Sequence, residues 1–202
     1  MESIKDKVAI IGMGCTQFGE LWDKDAKDLV IDCAYEAYED ARIDPKDIQA
    51  AWVGTLLGFT GVSLSEPLKT DYIPVTRVEN MCGTGMETLR AGAYALAAKA
   101  YDLVLCVGVE KMKDTGFPGA SAGGPGGTGG GVQPWHPVYA TGDSAPGRYA
   151  LAATRYFYQF GISPQEGKRT LAKISVKSHY NGARNPRAHL RREVDEEAVI
   201  NA

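Results

Sequence analysis

Residues 73–109 read IPVTRVENMCGTGMETLRAGAYALAAKAYDLVLCVGV, and the fold class turns on this stretch. A short strand candidate, Ile73–Val78, passes through Cys82 and its small neighbours into a helix from about Cys82 to Ala100. Asp102–Val109 (DLVLCVGV) follows, an unbroken apolar run of the kind buried on both faces of a parallel sheet. Upstream, Val8–Met13 (VAIIGM) has the same character and is stopped by Gly12 and Gly14. Asp25–Arg42 then places Ala26, Leu29, Val30, Cys33, Ala34, Ala37, Tyr38 and Ala41 at helical spacing, with Asp23 and Asp25 near the positive end. Ala50–Thr55 supplies another short strand. This alternation of strands and helices predicts an α/β domain.

Composition supports a folded globular chain and narrows its partners. The 202 residues are 44% apolar and 23% charged, with a formal charge of −3, long enough to bury a core. No basic run stands ready for nucleic acid or an anionic membrane surface, and no segment has the length of a membrane span or the layout of a signal peptide. A small-molecule substrate in a cytoplasmic setting is the expectation. Four cysteines without a CxxC pair fit a reducing compartment. Beyond the α/β stretch, residues 116–131 (GFPGASAGGPGGTGGG) hold 9 Gly in 16 residues, which makes them a loop or flap. Helices are expected at Ala145–Phe160 and Ser163–Tyr180, the second opening with Ser163, Pro164 and Glu166 as a capping box and ending at Asn181-Gly182. A new element starts at Val194.

The densest chemical signal is Cys82, where strand passes into helix. Backbone N–H groups and the positive end of a helix dipole favour a thiolate there, and the same N–H groups suit an oxyanion formed when sulfur attacks a carbonyl. Gly83 and Gly85 would let a substrate approach the backbone. Cys33, on the apolar helix stripe, and Cys106, inside DLVLCVGV, read as small core residues, and Cys15 as a loop residue. GMGCTQFG (12–19) fails as a dinucleotide fingerprint because Gln17 stands where a glycine is required, and no phosphate-binding GxxxxGK[ST] occurs. His136, His179 and His189 are too scattered for a metal site; only His136 is kept as a pocket candidate.

At VENMCGTG (78–85), taken with VAIIGMGCTQFGE (8–20), GVEKM (108–112) and HYNGARNPRA (179–188), the sequence resembles the thiolase superfamily, specifically the sterol-carrier-protein-type, acetyl-CoA acetyltransferase-like thiolases. The resemblance implies a layered α/β/α fold with a mostly parallel sheet. It divides the chain into an N-terminal domain at 1–112 carrying the nucleophile, a Gly-rich and helical loop domain at 113–190 that covers coenzyme A, and the start of a return segment at 191–202. Cys82 is by this likeness the residue acylated during ping-pong cleavage or formation of a 3-ketoacyl-CoA, with coenzyme A as acyl acceptor and no metal or tightly bound cofactor. Thiolases have two similar halves, and the second brings the histidine motifs and the further cysteine that move protons. Those motifs do not occur in these 202 residues. A piece of a longer thiolase, or one part of a split enzyme, is therefore implied, inactive or nearly so without its second half. The likeness also implies a homodimer and raises a zinc-ribbon and OB-fold acyl-CoA-binding partner. Two alternatives are a retro-aldol lyase of CoA-ester side chains and a non-catalytic acyl-CoA-binding subunit.

Overall fold

The structure is a computed structural model that describes residues 3–56, 61–115 and 145–202. The chain divides into two compact units, Met1–Thr16 with Glu20–Gly116, and Gln17–Gly19 with Phe117–Ala202. The glycine-rich stretch 116–131 and His136 lie outside the described residues.

In the first unit, helix α1 (Ala26–Ala41) forms where its apolar periodicity places it. Asp25 caps it by accepting from the N–H groups of Lys27 and Asp28, while Asp28 returns a bond to the Asp25 amide. Strand β1 (Ala50–Gly54) leads to α2 (Gly61–Leu68), β2 (Val75–Val78), α3 (Thr84–Ala97) and β3 (Val104–Gly108). The three strands form a parallel sheet in the order β2-β1-β3, with Trp52 of β1 opposite both Thr76 and Cys106. Central β1 is almost wholly buried. One hydrophobic core joins Leu29, Val30, Ala34 and Tyr38 of α1, Leu64 and Leu68 of α2, and Val53, Leu105 and Val107 of the sheet. The other sheet face receives α3 through Thr84, Thr88 and Gly92.

Two strand expectations need correction. Val8–Met13 is not a strand of the sheet: it carries no regular secondary structure, with Ile10 71% and Met13 70% exposed. Its glycines lie flat on α1, so a Cβ on Gly12 would stand 2.4 Å from the Ala37 carbonyl oxygen and one on Gly14 1.9 Å from that of Cys33. The amides of Met13 and Cys15 donate to the carboxylates of Asp40 and Glu36 at 2.9 Å each. At these two residues side-chain carboxylates of α1 thus take the bonds that a neighbouring strand would otherwise accept. DLVLCVGV, in turn, is buried on one face only. Leu105, Val107 and Val109 are buried, while Val104 and Cys106 are partly exposed.

The second unit contains α4 (Ala145–Phe160), α5 (Pro164–Arg184) and α6 (Glu196–Ile200). Gly161, at φ +65°, turns the chain between α4 and α5, and the Ser163 hydroxyl accepts from the Glu166 amide at 3.2 Å. Helix α5 continues past Asn181-Gly182 to Arg184. Gly182 serves close packing and not termination: a Cβ there would lie 2.9 Å from the Leu190 carbonyl oxygen, where the tail folds back on the helix. An Arg184–Glu193 ion pair at 2.7 Å and a 2.8 Å contact between His179 Nδ1 and the Arg192 carbonyl hold that return. Asp195 caps α6 at the element expected from Val194.

Candidate active site

The C-terminal ends of parallel strands are where α/β sheets present loops to ligands. Here the ends of all three strands are tied together. Arg77 of β2 donates to the carbonyls of Thr55 and Leu56 just beyond β1, at 3.0 and 3.2 Å. Glu110, just beyond β3, accepts from the Leu56 amide. Lys111 donates to the Leu21 carbonyl at 2.5 Å. Sequence reading flags GVEKM only as a likeness and gives Arg77 and Glu110 no role; an ordinary charged residue carries no pattern that announces a bond to a loop carbonyl.

From this edge β2 runs into the turn that carries Cys82. The chain leaves Val78, passes Glu79 and Asn80, and closes a 3-10 turn over Met81–Gly83 directly before α3. The helix therefore starts two residues later than expected, and Cys82 stands exposed in the turn and not in the helix. Met81 adopts φ +49°, the left-handed region, which costs a residue with a side chain about 1–2 kcal/mol. Such a conformation persists only where surrounding bonds hold it.

Those bonds are specific. A carboxylate oxygen of Glu79 accepts from the Met81 amide at 2.6 Å, and the Asn80 carbonyl accepts from the Gly83 amide at 2.9 Å. The Thr84 hydroxyl accepts from the Asn80 amide at 2.8 Å and donates to the Met81 carbonyl at 2.7 Å, and the Thr84 amide also donates to that carbonyl. The amides of Met81, Gly83 and Thr84 are thus engaged within the turn. The sequence-based picture of several amides waiting for an anion narrows accordingly. Among the described residues none forms a hydrogen bond to Cys82 Sγ, so no base or acid partner accompanies it.

The other cysteines separate by burial. Cys33 and Cys106 are half-buried, and burial pushes both thiols up from the usual range, which disfavours the thiolate form. Cys106 Sγ lies 3.6 Å from the Thr88 carbonyl, against α3. Cys15 is exposed, with its thiol 3.3 Å from the Thr16 carbonyl. His179 packs on the tail and His189 is exposed, and no group of three or more His, Cys, Asp or Glu capable of holding a metal occurs among the described residues.

Comparison with known proteins identifies the family of the chain. The family described as "Thiolase, N-terminal domain" matches residues 8–197. Acetyl-CoA acetyltransferase of Methanothermobacter thermautotrophicus is 35% identical over 202 residues, covering 96% of this chain and 50% of that protein. The acetyl-CoA acetyltransferase of Methanocaldococcus jannaschii is likewise 35% identical, over 96% of this chain and 49% of its own length. Among solved structures, the Ltp2-ChsH2(DUF35) aldolase superposes with a TM-score of 0.71 at 19% identity, covering 94% of this chain and 47% of that one, a likeness of fold. The chain spans about half the length of the relatives it matches. With a family match that runs from the first apolar segment into α6, the chain belongs to the thiolase family, as a thiolase N-terminal domain.

Proposed function

We propose that this chain supplies the nucleophilic half of a thiolase-type acyltransferase acting on 3-ketoacyl-CoA. The observation that carries the reading is Cys82, an exposed thiol in a strained, hydrogen-bonded turn between β2 and α3 of a thiolase-family domain. Cys82 Sγ attacks the 3-keto carbon, the bond to the alpha carbon breaks, and the electron pair leaves as the enolate of the shorter acyl-CoA, which takes up a proton. The acyl group stays on sulfur as a thioester. Coenzyme A thiolate then attacks that thioester and restores Cys82.

Two proton transfers in this sequence need groups that the described residues do not place at Cys82: a base for the thiol and an acid for the enolate. We assign them to a second half, continuous with this chain or carried by a partner. The homodimer, and a zinc-ribbon and OB-fold acyl-CoA-binding partner, belong to the same proposal, and coenzyme A enters only as substrate. A non-catalytic acyl-CoA-binding role is the second reading, favoured by the lack of a hydrogen-bond partner on Cys82 Sγ among the described residues.

Mass analysis of the tryptic peptide Val78–Arg90 after exposure to acetoacetyl-CoA separates the two. An acetyl group on that peptide, absent from the Cys82→Ala chain, supports the acyl-enzyme. Bound CoA ester with an unmodified peptide, in the chain and again with its second half supplied, supports the binding subunit.

A further inference from the structure

We propose that Thr84 is a positioning residue that aims the Cys82 backbone N–H at the oxyanion formed during acyl transfer, an inference that rests on the acyl-Cys82 reading above. Thr84 is 8% exposed, and among the described residues its hydroxyl bonds only within the turn. It accepts from the Asn80 amide at 2.8 Å and donates to the Met81 carbonyl at 2.7 Å, bridging the residue held at φ +49°.

The Met81 carbonyl and the Cys82 N–H belong to one peptide group. A trans peptide is planar and points its C=O and N–H in opposite directions, and no peptide in the described chain is cis. Anchoring the carbonyl inward on Thr84, through both hydroxyl and amide, therefore directs the Cys82 N–H away from the helix. The amides of Met81, Gly83 and Thr84 are already spent on the turn. The Cys82 amide is left as the donor nearest the sulfur that attacks. A carbonyl carbon bonded to Sγ carries its oxyanion within reach of that N–H, and such a donor acts fully only when held in place before the reaction.

Two reagents separate this role from general support of the turn. S-acetyl-N-acetylcysteamine acylates the thiolate: sulfur adds to the thioester carbonyl, an oxyanion forms, the old C–S bond breaks, and the released thiolate takes a proton from water. Iodoacetamide alkylates the same sulfur by displacing iodide, with no oxyanion. Both rates are read on the Val78–Arg90 peptide of the intact chain at alkaline pH, where hydroxide stands in for the base. In Thr84→Val, acylation is expected to fall about tenfold or more, part of the 10²–10³ seen when an oxyanion donor is removed, with alkylation held within about twofold. Thr84→Ser keeps the hydroxyl and is expected to acylate at the parent rate.

Equal loss of both rates in Thr84→Val, or no loss in either, overturns the proposal. So does a Thr84→Ser chain that acylates poorly, because methyl packing would then be what matters; that arm decides even if Thr84→Val does not fold. A parent chain alkylated but never acylated at Cys82 fails in a different way, taking down the acyl-enzyme reading and this inference with it.

Discussion

Gly92 is where α3, the helix that follows the Cys82 turn, packs closely on β3, and replacing it tests whether contact or intrinsic helicity sets the helix position. A Cβ at residue 92 would lie 2.6 Å from Cys106 Sγ, 3.4 Å from Val104 Cγ2 and 3.8 Å from Trp52 Cε3. Since comfortable contact needs about 3.5–4.0 Å, the sulfur must move by roughly 1 Å or α3 must lift. Gly→Ala inside a helix contributes about 1 kcal/mol of stability by propensity, while overpacking costs about 1–3 kcal/mol. Gly92→Ala is therefore expected to destabilise the chain by about 1 kcal/mol net, shifting its melting temperature by about 2–4 °C. In a Cys106→Ala background the obstructing sulfur is gone, and the same substitution should stabilise by up to about 1 kcal/mol. The sign reversal amounts to a coupling of about 2 kcal/mol, well above the additivity error for distant sites. Urea denaturation followed by tryptophan fluorescence and far-ultraviolet circular dichroism measures all four chains. Equal effects of Gly92→Ala in both backgrounds would refute the close approach of α3 to β3.

Three further substitutions probe other parts of the argument. Gly14→Ala forces a methyl into the Cys33 carbonyl, 1.9 Å away, and backbone cannot swing aside, so the amides of Met13 and Cys15 should lose their hydrogen-exchange protection while the core of the sheet keeps its own. Tyr38 has its hydroxyl buried without a partner among the described residues, and burial pushes its pKa up to about 12. The raised folded-state value makes its contribution to stability whole below about pH 10, the unfolded value, and lost as pH climbs toward 12; Tyr38→Phe should be neutral or stabilising by about 1 kcal/mol at pH 7 and should flatten that alkaline fall in a urea titration. Gly85 faces open space, so Gly85→Ala should leave the fold as stable or up to about 1 kcal/mol more so, yet lower acyl transfer to Cys82 if substrate passes over this backbone; a Gly85→Ala chain as active as the parent would remove that role from Gly85.

Much of the fold is legible in the sequence because periodicity reports which face of an element is buried. The stripe Leu29, Val30, Ala34, Tyr38 gives α1, though not Asp25 as its cap, and short runs between breakers give β1 and β2. Helix α2 is not: it is eight residues with Pro67 inside, too short to show a repeat, and owes its place to Leu64 and Leu68 in the shared core. Val8–Met13 misleads for the converse reason. Its composition suits a strand covered on both sides, but composition does not say which strand pairs with it, and among the described residues no strand does: the Met13 amide goes to the Asp40 carboxylate of α1. Cys82 can be read from its place between strand and helix. The bonds that hold its turn cannot, since Glu79 and Thr84 look in sequence like any polar residues near a helix start.

The same helix shows why the site depends on the sheet. Thr84, Thr88 and Gly92 recur at a spacing of four, the face α3 turns to β1 and β3. All three are poor helix formers, together about 2 kcal/mol worse than alanines would be. Their value lies in proximity. Gly54 of β1 admits the Thr84 and Thr88 side chains where its own Cβ would stand 2.4 Å from Thr88 Oγ1. The Thr88 hydroxyl donates to the Thr84 carbonyl at 2.8 Å, and the Thr84 hydroxyl continues the chain of bonds to Met81 and Asn80. A weak helix former on every inward turn means that α3 is held by its contacts more than by its own propensity. Residue 54 is therefore expected to act on the geometry of Cys82 without touching it: a side chain there has to displace Thr88 and Thr84, and Thr84 holds the Met81 carbonyl, so Gly54→Ala should slow acylation of Cys82 more than its alkylation.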